Sequence, residues 1–189
     1  GMVGADLGEF TSILAEAPPM PTSGGAVFVT VGTTQFDALV LGVSSLEALS
    51  ILAEQGYTSM RIQHGRGEPP PPLPPSAQIR LESYGFKDTL AADMREASLI
   101  ISHAGAGSIM EGLRVDARLI VVVNDALMDN HQQELARELD ARSHLVATTP
   151  AELLDALRAM PARAPSLVPF AESDASAFPD YLTAQLGLG

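Results

Sequence analysis

The sequence predicts an α/β fold, a Rossmann-like and mostly parallel β-sheet with helices on both faces. Short runs that are apolar on both faces, such as 26–31, are typical of strands buried in a parallel sheet. These runs alternate with segments of helical periodicity, an arrangement that places successive strands parallel. The chain has 189 residues, of which 46% are hydrophobic, so one domain can bury a substantial core.

Each element follows from its local pattern of apolar, capping and turn residues. The expected strands are 26–31, 60–63, 79–84, 99–102, 119–123 and a short 144–147. The expected helices are 36–55, 88–97, 108–114, 130–141, 149–160 and a last one near 178–187. Thr34 is a candidate N-cap of the first helix, and Pro150 after Thr149 favours a helix start.

The composition divides the chain into three parts. Residues 1–25 are rich in Ala, Pro, Gly and Ser and are interpreted as a flexible leader, and 26–160 as the folded domain. Residues 161–189 form a Pro- and Ala-rich tail whose helix either packs on the core or meets a partner. Within the domain, 68–75 is a polyproline insertion, with six prolines in 69–75. It is an exposed spacer or a ligand of an adaptor domain.

Charge and cysteine content exclude several function classes. The net charge of −12 argues against binding nucleic acid or anionic lipid through bulk charge. The chain has no cysteine, which excludes disulfides, zinc–thiolate sites and cysteine nucleophiles and fits a cytoplasmic protein. No apolar run approaches the roughly 18 residues of a membrane span, and no secretory signal is visible.

Ligands of open α/β sheets bind beyond the carboxyl ends of the strands, and three such ends carry polar chemistry. The first is 102–108, where Gly105 and Gly107 let the backbone approach a ligand as a helix starts. A diphosphate suits this loop, although a tight turn without a ligand explains it equally well. Glu111 on the following helix either accepts ribose hydroxyls or is a solvated first-turn glutamate.

The other two ends are weaker signals on their own. The segment 123–133 brings two amides and His131 to a helix start, where they either read hydroxyl groups or only cap the helix. The segment 32–37 supplies Thr33 and Thr34, which line the cleft or simply cap a helix. No histidine pair has metal-ligand spacing, so no protein-bound metal is expected.

Three motifs give the sequence a specific resemblance. VFVTVGTT at 27–34, ISHAGAGS at 101–108, and VND with LMDNHQQ within 123–133 closely resemble the soluble catalytic subunits of eukaryotic two-subunit UDP-GlcNAc transferases. Those subunits belong to glycosyltransferase family 28. The resemblance covers about 26–160 and implies the carboxyl-terminal, donor-binding half of a GT-B glycosyltransferase.

The resemblance implies a donor site for UDP-GlcNAc, with no cofactor. The implied donor-binding residues are Gly32, Thr33, Thr34, His103, Gly105, Ala106, Gly107, Ser108, Glu111, Asn130, Gln132 and Gln133. The glycine loop would hold the diphosphate, Glu111 the ribose, and the glutamine pair would lie by the sugar hydroxyls. His103 and His131 are candidate general bases, unless the base lies on the other half of the enzyme.

The implied reaction is inverting β1,4-transfer of GlcNAc to GlcNAc-diphosphodolichol, the second step of lipid-linked oligosaccharide synthesis for N-glycosylation. The implied partner is a membrane-anchored, acceptor-binding subunit that recruits the chain to the cytosolic face of the endoplasmic reticulum. Two alternatives stay open, a non-catalytic UDP-sugar-binding module and a complete small epimerase or hydrolase of UDP-sugars.

Overall fold

The computed structural model describes residues 24–124, 130–171 and 179–185. Within them, one six-stranded sheet is parallel at every strand pair, in the order β3-β2-β1-β4-β5-β6. The strands are β1 (Gly25–Thr30), β2 (Tyr57–Gln63), β3 (Arg80–Tyr84), β4 (Leu99–His103), β5 (Arg118–Val122) and β6 (Val146–Thr148). The predicted Rossmann-like α/β class is confirmed. The strand order reverses between β1 and β4, where a crevice opens in such sheets.

Helices cover both faces of the sheet and build two apolar clusters. They are α1 (Asp37–Val43), α2 (Leu46–Glu54), α3 (Ala91–Glu96), α4 (Ala106–Leu113), α5 (Asn130–Ala141), α6 (Leu153–Arg163) and α7 (Asp180–Gln185). One cluster joins α1, α2 and α6 to alternate residues of the strands, including Val27 and Val29. The other joins α3, α4, α5 and α7 to the residues between them, such as Phe28. The central strand β1 is therefore buried on both faces, as its apolar sequence predicts.

Three predictions about the helices are wrong. The expected helix 36–55 is two helices, because Ser45 caps a new one and its Oγ accepts a hydrogen bond from the Ala48 N–H at 3.2 Å. Thr34 does not cap α1, since its hydroxyl donates to the Val31 carbonyl at 2.8 Å. The helix expected from residue 108 begins at Ala106, so the second glycine of the loop lies inside its first turn.

The helix α6 extends beyond its expected end near residue 160 and includes Pro161. A proline inside a helix leaves the carbonyl four residues earlier without its backbone donor. Here that carbonyl belongs to Leu157, and the Gln55 side-chain amide donates to it at 2.8 Å. The substitute hydrogen bond explains in part why the helix tolerates this proline.

The structure places only part of the predicted leader, insertion and tail. Residues 1–23 of the leader lie outside the described residues. The insertion has no helix or strand; several of its prolines are exposed, and Leu73 packs against the first cluster. In the tail, Leu182 is 1% exposed and belongs to the second cluster. This residue therefore packs on the chain's own core, one of the two predicted alternatives.

Candidate functional site

A cleft of about 390 Å³ lies at the carboxyl edge of the sheet, where the strand order reverses. It is lined by Gly32, Thr33, Gln63, Phe86, Lys87, Asp88, Thr89, Leu90, His103, Gly105, Gly107, Ser108 and Glu111. The structure thus brings together two of the three strand ends singled out in the sequence. The cleft is also lined by Gln63 at the end of β2 and by the segment 86–90 after β3, which the motifs did not indicate.

His103 is the packing centre of the inner side of this cleft. Its side chain is 8% exposed and stands between two glycines. A Cβ at Gly32 would lie 2.5 Å from the ring carbon Cε1, and a Cβ at Gly105 would lie 2.3 Å from Nε2. Both glycines therefore make room for the imidazole. Burial lowers the pKa of His103, and an interaction with the Thr30 backbone opposes this in part, so the ring is neutral at physiological pH.

Gln63 ends β2 and is buried beneath the loop that follows β1. Its carbonyl oxygen accepts hydrogen bonds from the Thr30 hydroxyl at 2.6 Å and the Gly32 N–H at 3.0 Å. Its amide nitrogen donates to the Gly32 carbonyl at 2.6 Å and the Gly85 carbonyl at 2.8 Å. The side chain links the loops after β1 and β3, and no sequence motif predicted this role.

The helix α4 opens directly on the cleft. Gly105 precedes it without a side-chain cap, so the first N–H groups of the helix are left for solvent or a ligand. Ile109 is fully buried, whereas Glu111 is exposed and lines the cleft, as the helical spacing predicts. The positive end of the helix and its free donors make this edge suited to an anion.

Gly107 differs from its neighbours in this loop. A Cβ built on it would meet no atom of the described residues within 4 Å, its own helix backbone aside, and its φ is not in the left-handed region. Packing within the described chain therefore does not require a glycine here. The missing side chain leaves backbone exposed at the cleft, where a ligand could approach closely.

The outer wall of the cleft is the segment 86–90, which sequence reasoning missed. Phe86 is 57% exposed there. The Lys87 ammonium lies 2.8 Å from the Asp93 carboxylate on α3 and 4.1 Å from the centre of the Tyr84 ring. The only available signal was positional, since this segment follows the carboxyl end of a strand.

Asp93 holds this wall through a buried ionic cluster. It is 4% exposed and accepts hydrogen bonds from Lys87, Tyr84 and Arg61. Burial opposes its ionisation, but these hydrogen bonds and the Lys87 charge prevail, so the pKa of Asp93 is lowered. Burial and the nearby carboxylate raise the pKa of Tyr84, which stays a protonated donor.

The described lining of the cleft does not include three predicted site residues, Thr34, Ala106 and His131. Ala106 lies in the first turn of α4, and the Thr34 hydroxyl is used within its own turn. His131 on α5 is 59% exposed at the side chain, and its Nδ1 lies 3.9 Å from the Glu134 carboxylate. Asn130, Gln132 and Gln133 begin the same helix, directly after 125–129, which lie outside the described residues. Their donor-binding role stays a prediction.

Across the ranges that the structure describes, no three His, Asp or Glu side chains are grouped as metal ligands would be. None of the helices in those ranges is both long and apolar enough to cross a bilayer.

A parallel sheet of this order, with a glycine loop opening a helix at its switch point, defines a Rossmann-like type of domain. Solved glycosyltransferases of low identity share the fold. The kitacinnamycin glycotransferase is 20% identical with a TM-score of 0.54, covering 99% of this chain and 44% of that one. Acinetobacter baumannii MurG is 16% identical with a TM-score of 0.52, covering 76% and 40%. The fold is therefore that of one half of a GT-B glycosyltransferase.

The chain belongs to glycosyltransferase family 28, whose C-terminal domain model matches residues 26–185. It is 46% identical over 122 residues to the mouse UDP-N-acetylglucosamine transferase subunit ALG13, covering 65% of this chain. It is 37% identical over 133 residues to the subunit of the same name from Yarrowia lipolytica, covering 69% of this chain and 68% of that protein. An NMR structure of ALG13 is 29% identical with a TM-score of 0.61, covering 78% of this chain and 90% of that one.

The match to the mammalian relatives is partial. The aligned part amounts to 10% of the mouse protein and 11% of the human one. Fold and family are therefore established on the aligned region, and activity, substrate and partner are matters of proposal.

Proposed function

We propose that the chain is the donor-binding, catalytic subunit of a UDP-GlcNAc:GlcNAc-diphosphodolichol β1,4-N-acetylglucosaminyltransferase. The observation that carries the proposal is Gly107, a helical glycine at the cleft that no neighbouring atom within the described chain requires. A diphosphate lying against the start of α4 gives this glycine a purpose, since any side chain there would hold the phosphates away from the N–H groups. The names of the relatives point to the same donor.

The cleft divides into three regions that fit the parts of a UDP-sugar. The N–H groups of Gly107 and Ser108 take the diphosphate, and the exposed carboxylate of Glu111 takes the ribose hydroxyls. The half-exposed Phe86 ring on the opposite wall offers a flat apolar surface to the base. Asn130, Gln132 and Gln133 are proposed for the sugar hydroxyls.

The proposed transfer is a single displacement with inversion. The 4-hydroxyl of the lipid-linked GlcNAc forms a bond to the anomeric carbon as the bond from that carbon to UDP breaks. Negative charge grows on the leaving diphosphate, where the donors at the start of α4 stabilise it, and no cofactor is needed. The acceptor hydroxyl gives its proton to a general base.

The two candidate bases differ in burial, and therefore in how easily an acceptor hydroxyl can reach them. His103 is neutral and able to accept a proton, yet its ring is confined between Gly32 and Gly105. His131 is exposed, so an acceptor can reach its ring, and its Nδ1 lies 3.9 Å from the Glu134 carboxylate. A base supplied by a partner is the third option, and we propose a membrane-anchored subunit that carries the acceptor half. That subunit would recruit this chain to the cytosolic face of the endoplasmic reticulum.

The decisive experiment measures transfer of radiolabelled GlcNAc from UDP-GlcNAc to GlcNAc-diphosphodolichol, with and without a membrane partner subunit. Transfer only in the presence of the partner is expected. If a folded chain binds UDP-GlcNAc but never supports transfer with an active partner, the non-catalytic binding module replaces the proposal. Release of free sugar by the chain alone would identify a hydrolase instead.

Two substitutions test the site within that assay. The changes Glu111→Ala and Gln132→Ala should each reduce transfer, on the order of tenfold for a lost hydrogen bond to a charged or well-ordered group. Arg137→Ala on the exposed side of α5 is the matched control and should transfer normally. Because all three positions are at least partly exposed, the unfolding free energy should stay within about 0.5 kcal/mol of the unsubstituted chain. Normal transfer by both site variants would contradict the assignment.

A further inference from the structure

We infer that Gln63 is a positioning residue that sets the width of the cleft for a nucleoside diphosphate. The inference rests on the proposed function and deepens it. The Gln63 side chain is only 2% exposed, at the inner surface of the cleft. It acts through the backbone of two loops that do line the cleft.

Every hydrogen-bonding position of the Gln63 amide is used. A glutamine carries two N–H donors and an oxygen with two lone pairs. The donors go to the carbonyls of Gly32 and Gly85, and the oxygen accepts from the Gly32 N–H and the Thr30 hydroxyl. Gly32 is thus held at both its N–H and its carbonyl by one side chain.

The two glycines that Gln63 holds belong to opposite walls. Gly32 packs on His103 at the inner wall, and its φ of +65° is a left-handed conformation, which the hydrogen bonds from Gln63 hold in place. Gly85 directly precedes Phe86 and Lys87 of the outer wall. A single amide therefore fixes the separation of the two walls, in addition to the ionic cluster around Asp93.

No other natural side chain reproduces this set of bonds. Asparagine is one methylene shorter, and methionine has the length but no donor. Glutamate has the length and shape, but when it is ionised the oxygen that replaces the amide nitrogen carries no proton and faces the carbonyls of Gly32 and Gly85. Burial and those carbonyls raise the pKa of a glutamate at this position, because both disfavour the charged form.

The change Gln63→Glu therefore converts the cleft into a pH-dependent one. At about pH 6 the protonated carboxyl keeps one donor and one acceptor, and UDP should bind within a few-fold of the unsubstituted chain. At about pH 9 the ionised carboxylate repels both carbonyls, and UDP should bind on the order of tenfold more weakly than to the unsubstituted chain. Gln78→Glu, at an exposed position of the same chain, adds the same charge and should show no such trend.

The measurement is calorimetric titration of the full chain with UDP across that pH range, expressed as the ratio of variant to unsubstituted affinity. The ionisable groups that face this region are His103 against Gly32, His64 against Gly85, and Lys87 on the outer wall. Both chains contain them, so the ratio removes the contributions that the two chains share. A pH-independent ratio for Gln63→Glu overturns the positioning role.

A second readout does not depend on ligand. The amide NMR signals of Gly32 and Gly85 should titrate together in the ligand-free Gln63→Glu chain and stay constant in the Gln78→Glu chain. Titrating signals with an unchanged affinity ratio would reduce Gln63 to a structural residue. If the unsubstituted chain does not bind UDP at all, the proposed function fails, and the role of Gln63 in it falls for that separate reason.

Discussion

The cleft has two sides that use glycine for different reasons. On the inner side, Gly32 and Gly105 are small because the His103 ring occupies the space that their side chains would fill. On the open side, a Cβ added to Gly107 would meet no described residue outside its own helix within 4 Å, although Gly107 stands only two residues from Gly105. The first kind of glycine is required by folding, and the second is a position where packing among the described residues leaves room for a side chain.

The largest effect is expected on the inner side, from Gly32→Ala. The new Cβ would lie 2.5 Å from a buried ring carbon, and the φ of +65° disfavours any side chain. Backbone strain and overpacking each cost about 1–3 kcal/mol, so the free energy of unfolding should fall by about 2–4 kcal/mol in urea denaturation.

Gly24→Ala is the matched control for that substitution. Gly24 also has a positive φ, +73°, but none of the residues that the structure describes has an atom within 4 Å of its added Cβ. It should lose only the strain, about 1–2 kcal/mol. Equal losses at both positions would mean that His103 yields to the new side chain, and the difference between the two sides of the cleft would disappear.

Asp93→Asn tests how the outer wall is held. It removes a carboxylate that accepts hydrogen bonds from three side chains, and hydrogen bonds to charged groups contribute about 1.5–3 kcal/mol each. Arg61 keeps its bonds to Glu82 and Glu96 in the variant. The free energy of unfolding should therefore fall by about 1–3 kcal/mol. Glu96→Gln, an exposed contact of the same arginine, should change stability by less than about 0.5 kcal/mol.

The stability difference between the chain and Asp93→Asn should depend on pH in one direction. The pKa of Asp93 is lower in the folded chain, so its ionisation stabilises the fold above the ordinary aspartate pKa of about 3.9. That stabilisation is lost as the pH falls through the folded-state pKa. Urea denaturation at about pH 7 and about pH 3 checks this, and a difference that grows in acid would contradict it.

The smallest change in stability, with a selective loss of binding, is expected from Gly107→Ala on the open side. Alanine favours a helix over glycine by up to about 1 kcal/mol, and no clash opposes it, so the fold should be unchanged or slightly more stable. UDP affinity should nevertheless fall, on the order of tenfold, because the methyl group occupies the space next to the N–H groups. A stable variant with normal UDP affinity would remove the main support for a diphosphate at α4.

The sequence was sufficient for the sheet and for the inner side of the cleft. The strands are short apolar runs between turn signals, and the glycines around His103 follow the ends of two of these runs. Local patterns therefore located both the strands and these glycines. The break at Ser45 was missed because apolar residues continue at helical spacing across it. Periodicity reports which face is buried, and two successive helices can bury the same face.

The missed parts of the site depend on contacts between residues that are distant in sequence. Gln63 ends a strand as an ordinary polar residue, and its role exists only once Gly32 and Gly85 are brought to it. Lys87 and Asp93 are equally unremarkable until Tyr84 and Arg61 complete their cluster. Such roles follow from the topology, which no local pattern encodes.

The position of β1 has a consequence for synthesis of the chain. It is the first strand in the described sequence and lies inside the sheet, pairing on one side with β2 and on the other with β4, where Val27 meets Leu99. Long-range parallel pairs of this kind form slowly, because much chain must be ordered before they close. A nascent chain that ends before residue 99 therefore exposes one open edge of its most apolar strand. Until β4 emerges, that edge is where the growing polypeptide is most prone to aggregate or to bind a chaperone.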